Sequence, residues 1–324
     1  MNSYKSNILK LVDLGEKYSL RPYFDWNYFT IILYDLNKMI YTNKIKYISL
    51  EDFWGIYPDG IMMLLLYGEL YKENMNDMLI ITNLPNKNTQ KKFLKSIDFY
   101  KISTFGYFID IDIDILNKIE EEKVFNPITK VSINNLNKIL IEIDNLSLSL
   151  LSKIVTGHQT IQEISYLSYP FKFSLDEIIK NIIFHSSKKG PGYGSGYFLI
   201  YYLKKQNIIR IFIGDIGQGF LNSLNNKNMK CEDDAEAIIK ALLYKYHSKE
   251  EEAHGLFHVI KYLNIWNGYI RIGSGEKQVK FNLKNIELNN DFEVKNLIEN
   301  EFKSEKRTFF PGVQFMFDLY IKES

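Results

Sequence analysis

Residues Asp176–Ser186, DEIIKNIIFHS, constrain this chain more than any other stretch. Glu177, Asn181 and His185 recur every fourth residue. On an α-helix that interval sets all three on one narrow stripe. Leu175, Ile178, Ile179, Ile182 and Ile183 fall on the other side and face a core. The spacing predicts an amphipathic helix over 171–188. Downstream, the β-branched run Ile208–Gly214 reads as a strand, and it ends in DIGQGF at Asp215–Phe220. An acid, an amide and an imidazole in line on a helix, followed by a strand ending in Asp-x-Gly-x-Gly, point to a nucleotide site. Alone, the stripe also reads as a solvated helix face, and Asp-x-Gly as an ordinary turn. The pair together favours the nucleotide.

With 324 residues and 46% hydrophobic content, the chain is long enough for two domains that each bury a core. A formal net charge of +1 gives no electrostatic case for nucleic acid or a membrane surface. One cysteine, Cys231, excludes a disulfide framework and a cysteine-based metal site. The longest uninterrupted apolar run, Ile61–Tyr67, falls far short of the about 20 residues that span a bilayer. The N-terminus carries acidic residues and lacks the apolar core of a signal peptide. A soluble, cytoplasmic protein is the expectation.

Along the chain, 1–27 reads as an N-terminal segment with a short amphipathic helix. Residues 28–127 read as a first domain and 128–324 as a second, with the break near Pro127 after a charged connection containing Glu120–Lys123. Strands are expected at Tyr28–Leu36, Tyr47–Phe53 and Asp77–Leu84, with another beginning at Phe99–Ile102, and helices at Ile61–Lys72 and Pro85–Ser96. This alternation implies a sheet covered by helices. In the second domain helices are expected at Val131–Gly157, Asp234–Tyr246 and Leu256–Leu263. Strands are expected at Tyr197–Tyr202, Ile208–Gly214, Tyr269–Ser274, Gln278–Leu283 and Val313–Tyr320. The fold class is α/β (α+β).

Four blocks of the second domain together resemble the histidine-kinase-like (GHKL) ATPase superfamily. They are Glu177–Asn181–His185 on the helix, Asp215–Phe220, His254-Gly255-Leu256 leading to Asn267–Ile272, and Pro311-Gly312-Val313-Gln314-Phe315. Their order is the family's own, and the likeness covers roughly 130–324. His185-Ser186 at the helix end is most similar to the bacterial anti-sigma-factor branch. The resemblance implies a Bergerat α/β sandwich, a mixed sheet covered on one face by helices, that binds ATP with magnesium. It further implies Asn181 as the magnesium ligand and Glu177 as the base acting on a water or hydroxyl. Asp215 would accept the exocyclic amino proton of adenine. His185, Gly217, Gly219 and Phe220 would line the nucleotide, and Gly255 and Leu256 would offer helix-start N–H groups to phosphates. Asn222–Ala253 would form a lid.

This chain departs from the pattern twice. Ala253 and His254 stand where a further glycine is usual, and Val313 stands where a hydroxyl commonly helps hold adenine. Adenine binding is therefore expected to be weaker or organised differently. The glycines of Lys189–Tyr197 follow a helix and precede a strand, the reverse of a Rossmann turn, and they lack the Gly-Lys-Ser/Thr of a P-loop. His158 lacks the flanks of a phosphoacceptor histidine, so a sensor kinase is not expected. His254 and His258 read as surface or packing residues.

Residues of about 28–105 resemble a STAS-type domain through Tyr47–Leu66, Leu79–Pro85 and Phe93–Phe99. Asp59 stands before Gly60 where that family commonly has a phosphorylated serine. The resemblance then implies a constitutive docking module. Asp59 as a simple helix cap is the alternative.

Three functions stay open on sequence. The first is an ATP-dependent regulatory switch, with slow or no hydrolysis, serving a protein partner, with pairing as a homodimer left open. The second is a serine/threonine kinase of the anti-sigma type. The third is a non-enzymatic interaction protein with a decayed nucleotide site.

Overall fold

The computed structural model describes residues 8–10, 23–42, 47–51, 53, 55–83, 85–99, 106–107, 126–154, 161–187, 189, 192–203, 206–243, 255–284, 286, 288, 290–300 and 303–320. The chain divides into two compact units, Met1–Ile128 and Thr129–Ser324. Both mix helix and strand.

The first unit holds β1 (Ile8–Lys10), β2 (Tyr23–Phe24), β3 (Tyr47–Ser49), β4 (Gly55–Ile56), β5 (Ile80–Asn83) and β6 (Gly106–Tyr107). A parallel sheet runs in the order β1-β3-β5-β6, and β2 pairs with β4. Its helices are α1 (Trp26–Asn37), α2 (Pro58–Met75) and α3 (Asn88–Ser96). Ile61–Tyr67 is buried all round, as in a central helix with no solvent face.

Two expectations fail here. Tyr28–Leu36 is helix, not strand. Its β-branched and aromatic content favoured a strand, but Asn27, Ile31 and Tyr34 are the exposed positions, at helical spacing. Asp25 starts the helix, its Oδ1 accepting the Tyr28 N–H at 2.8 Å. Within the expected N-terminal helix, Ile8–Lys10 is a strand in register with Tyr47–Ser49. The expected strand at Phe99–Ile102 and the connection at 110–125 lie largely outside the described residues.

The second unit opens with β7 (Asn126–Val131), α4 (Leu136–Ile154) and α5 (Ile161–His185), then β8 (Gly196–Leu203) and β9 (Ile208–Asp215). It continues with α6 (Gly219–Asn226), α7 (Asp234–Leu242), α8 (Gly255–Asn264), β10 (Tyr269–Asn282), α9 (Asp291–Asn300) and β11 (Lys303–Tyr320). The sheet order is β10-β11-β9-β8-β7, antiparallel from β10 through β8. On one face Ile209, Ile211 and Ile213 align with Phe317, Phe315, Ile200 and Phe198, an apolar layer. The helix α5 lies on this face: a Cβ added to Gly196 would come 3.2 Å from the Ile182 side chain. Leu175, Ile178, Ile179, Ile182 and Ile183 are all buried, as the helical spacing predicts.

Three further differences concern length. The helix expected from Val131 starts at Leu136, and Val131 instead ends strand β7. β10 is one strand of 14 residues, not two, because Gly275 is a bulge rather than a break. Within the span expected as a lid, 222–226 close α6 and 234–242 form α7, with Ala237, Ile238 and Leu242 buried. Residues 244–253 of that span lie outside the described residues. Among the described residues, no helix is long and apolar enough to cross a membrane.

Candidate functional site

Asp215 is the last residue of β9 and shares the helix-covered face with Ile209, Ile211 and Ile213. It is 2% exposed. Its Oδ1 accepts the Gly217 N–H at 2.7 Å, and the Val313 N–H also bonds the carboxylate. A carboxylate offers about four lone-pair positions, so acceptor capacity remains after these two bonds. Burial, which outweighs the two N–H donors, raises its pKa from 3.8 to about 7.

The turn after Asp215 is fastened to the end of α5. The Gln218 N–H donates to the Ser186 carbonyl at 2.8 Å, and the Gln218 side chain donates to the His185 carbonyl at 2.7 Å. Gly217 is required by this closeness, since a Cβ there would overlap the Ser186 carbonyl oxygen. Gly219 has φ +72° and leads into α6, where the Phe220 N–H finds the buried Ser274 hydroxyl at 3.1 Å. The Phe220 ring meets Phe315 edge-on at 6.2 Å.

One turn back from His185 along α5 lies Asn181, and a further turn back lies Glu177, both half-buried; His185 is exposed. The Asn181 side-chain N–H donates to the Glu177 carbonyl at 2.7 Å. That bond turns the amide so that Oδ1 is left for a ligand. A magnesium ion takes oxygen donors, often one or two from protein with the rest from phosphates and water. Asn181 fits such a ligand set. Among the described residues, no group of three or more His, Cys, Asp or Glu could hold a metal by itself.

Helix α8 runs antiparallel to α5: His258 meets Phe173 at 6.1 Å, and Tyr262 meets Tyr169 at 6.0 Å. One turn before His258, Gly255 therefore lies at the level one turn after Phe173, where Glu177 stands. Gly255 opens α8, so the start of that helix lies towards Glu177 on α5. The Leu256 side chain is buried and contributes packing; only its backbone is offered to a ligand. His258 stacks on Tyr262, the packing role expected for it. His254 lies outside the described residues.

Sequence reading assigned no role to Ser274 or Arg307, and Gln314 entered it only as a letter of the fourth block. Gln314 is fully buried; its Nε2 donates to the Asp215 carbonyl at 3.0 Å and to Pro311 at 2.9 Å. Arg307 donates to Gln314 Oε1 at 2.8 Å. A glutamine inside the apolar run VQFMF was the available signal. Gly312, with φ +77°, comes so close that a Cβ there would lie 2.6 Å from Asp215 Oδ1.

No protein-family model matches the chain, and no curated protein is significantly similar to it.

Proposed function

We propose that the second unit binds a magnesium purine nucleotide, ATP foremost, as GHKL ATPases do, and that the protein is an ATP-dependent regulatory switch. The observation that carries this reading is the bonding of the Asp215–Phe220 turn to the end of α5 through Gln218, His185 and Ser186. It sets the turn after Asp215 against the end of the helix that carries the Glu177–Asn181 stripe. Asp215 accepts the base amino group; Asn181 Oδ1 holds the metal; Glu177 receives a proton from the attacking hydroxyl or water. Bound magnesium would offset negative charge on the phosphates. The start of α8 donates N–H groups to them. The first unit serves as a STAS-like docking module for a protein partner in the cytoplasm. Asp59 is not its contact, because that carboxylate is buried and holds the Trp26 N–H at 2.8 Å.

Thermal unfolding with and without Mg-ATP tests the reading. Saturation at 100–1,000 times the dissociation constant adds about 3–4 kcal/mol. No shift at millimolar Mg-ATP would instead mark a decayed site. Glu177→Ala is expected to keep binding and lose turnover, whether the phosphate goes to water or to a protein hydroxyl. Labelled ATP, with and without cell extract, separates those two acceptors.

A further inference from the structure

Arg307 is 5% exposed and, among the described residues, forms no salt bridge. Its Nη1 is buried without a hydrogen-bond partner. Burial pulls its pKa down to about 9, the nearby Arg271 charge adds to that, and the Asp234 carboxylate works against it. A buried guanidinium without a paired carboxylate is costly to keep for stability alone. Its bonds show where it acts. Nε donates to the Gly275 carbonyl at 3.1 Å, and Nη2 donates to Gln314 Oε1 at 2.8 Å and to the Phe310 carbonyl at 3.5 Å. These residues mark the place where β10 and β11 slip register.

Arginine has no acceptor, so its donation fixes which way the Gln314 amide points. Oε1 must face Arg307, and Nε2 must then face the Asp215 and Pro311 carbonyls. Without Arg307 the amide is free to turn, setting oxygen against the Asp215 carbonyl. The Pro311–Val313 bulge, whose Val313 N–H bonds the Asp215 carboxylate, hangs on the same glutamine.

We propose that Arg307 and Gln314 are positioning residues that hold Asp215 at the height needed to meet the amino group of an adenine. This rests on the nucleotide reading of the same site. Neither residue touches the base. Loss of either weakens contacts made by a 6-amino purine more than those of a 6-oxo purine, whose 6-position offers the carboxylate an acceptor in place of a donor.

The test is calorimetric titration of the full-length protein with Mg-ATP and with Mg-ITP, for the wild type, Arg307→Met, Gln314→Met, the double variant and Arg307→Lys. The wild type is expected to prefer ATP. Each Met variant should lose roughly tenfold of that preference, the scale of one hydrogen bond in a binding site. The double variant should lose no more than either single one, since both act through one chain of bonds. Arg307→Lys, which can still donate to Gln314, should recover part of it. Met variants that bind both nucleotides more weakly by the same factor would reduce the pair to a structural role and overturn the inference. So would an unchanged preference. If Arg307→Met does not fold, Gln314→Met and Arg307→Lys carry the same comparison. Failure of the wild type to bind either nucleotide overturns the nucleotide reading and this inference together.

Discussion

Arg210 and Asp318 face each other in register across β9 and β11 and share two hydrogen bonds of 2.7 Å. Their side chains are 15% and 8% exposed. The pair lies on the sheet face opposite the apolar layer, among strands that also carry Asp215 and Gln314. Removing one partner strands the other charge, which costs about 3–5 kcal/mol when burial is complete and less here. Asp318→Ala is therefore expected to lower stability by about 2–3 kcal/mol in urea denaturation. The double change Arg210→Met with Asp318→Leu should cost less than Asp318→Ala alone. A double change costlier than the single one would show that the pair adds net stability.

Asp215 predicts a pH dependence. Its folded-state pKa is raised from 3.8 to about 7 by burial. Between those values the native state keeps a proton that the unfolded chain has released. Its contribution to stability is thus fully present below about pH 4 and is lost as the pH rises towards 7. Asp215→Asn should flatten that slope and leave the protein more stable than wild type at pH 7. Denaturation midpoints at pH 4, 5.5 and 7 measure this; parallel curves for the two proteins would count against it.

Two glycines should respond very differently to one methyl group. Gly192 has φ +86° with open space where a Cβ would go, so Gly192→Ala costs about 1 kcal/mol from conformation alone. Gly217→Ala drives a Cβ into the Ser186 carbonyl, which is backbone and cannot rotate away. Its cost should be at least twice as large, with loss of the Gln218 bonds seen as faster amide exchange at that position.

Asp59→Ala should destabilise by about 1–3 kcal/mol, because the Trp26 N–H would lose this buried acceptor. Asp59→Asn keeps an oxygen acceptor and should recover most of this. Equal losses in the two variants would mean that charge, not the hydrogen bond, is what Asp59 supplies.

Sequence showed α5 from Phe171 onward, since an isoleucine face repeated at helical spacing admits one secondary structure and one buried side, but not its first ten residues, Ile161–Pro170. The DIGQGF turn was legible because glycine is demanded where backbone meets backbone. Tyr28–Leu36 misled because aromatic and β-branched residues suit strands in general, while the deciding positions were the three exposed ones. Gly275 misled in another way: a glycine that permits a bulge looks, in sequence, like one that ends a strand. Arg307 was hidden because an arginine beside Lys303, Glu305 and Lys306 reads as solvated. Only the pairing of β10 with β11 turns it inward.

Gly312 sits against the Asp215 carboxylate with no side chain of its own. A single-carbon graft at that codon would press on the Asp215 backbone and carboxylate while replacing no acidic or amide group described above. Under the proposed reading, a descendant gene could thus lose nucleotide binding while every charged and amide letter of its motifs is kept, so genotype inspection should begin at this glycine.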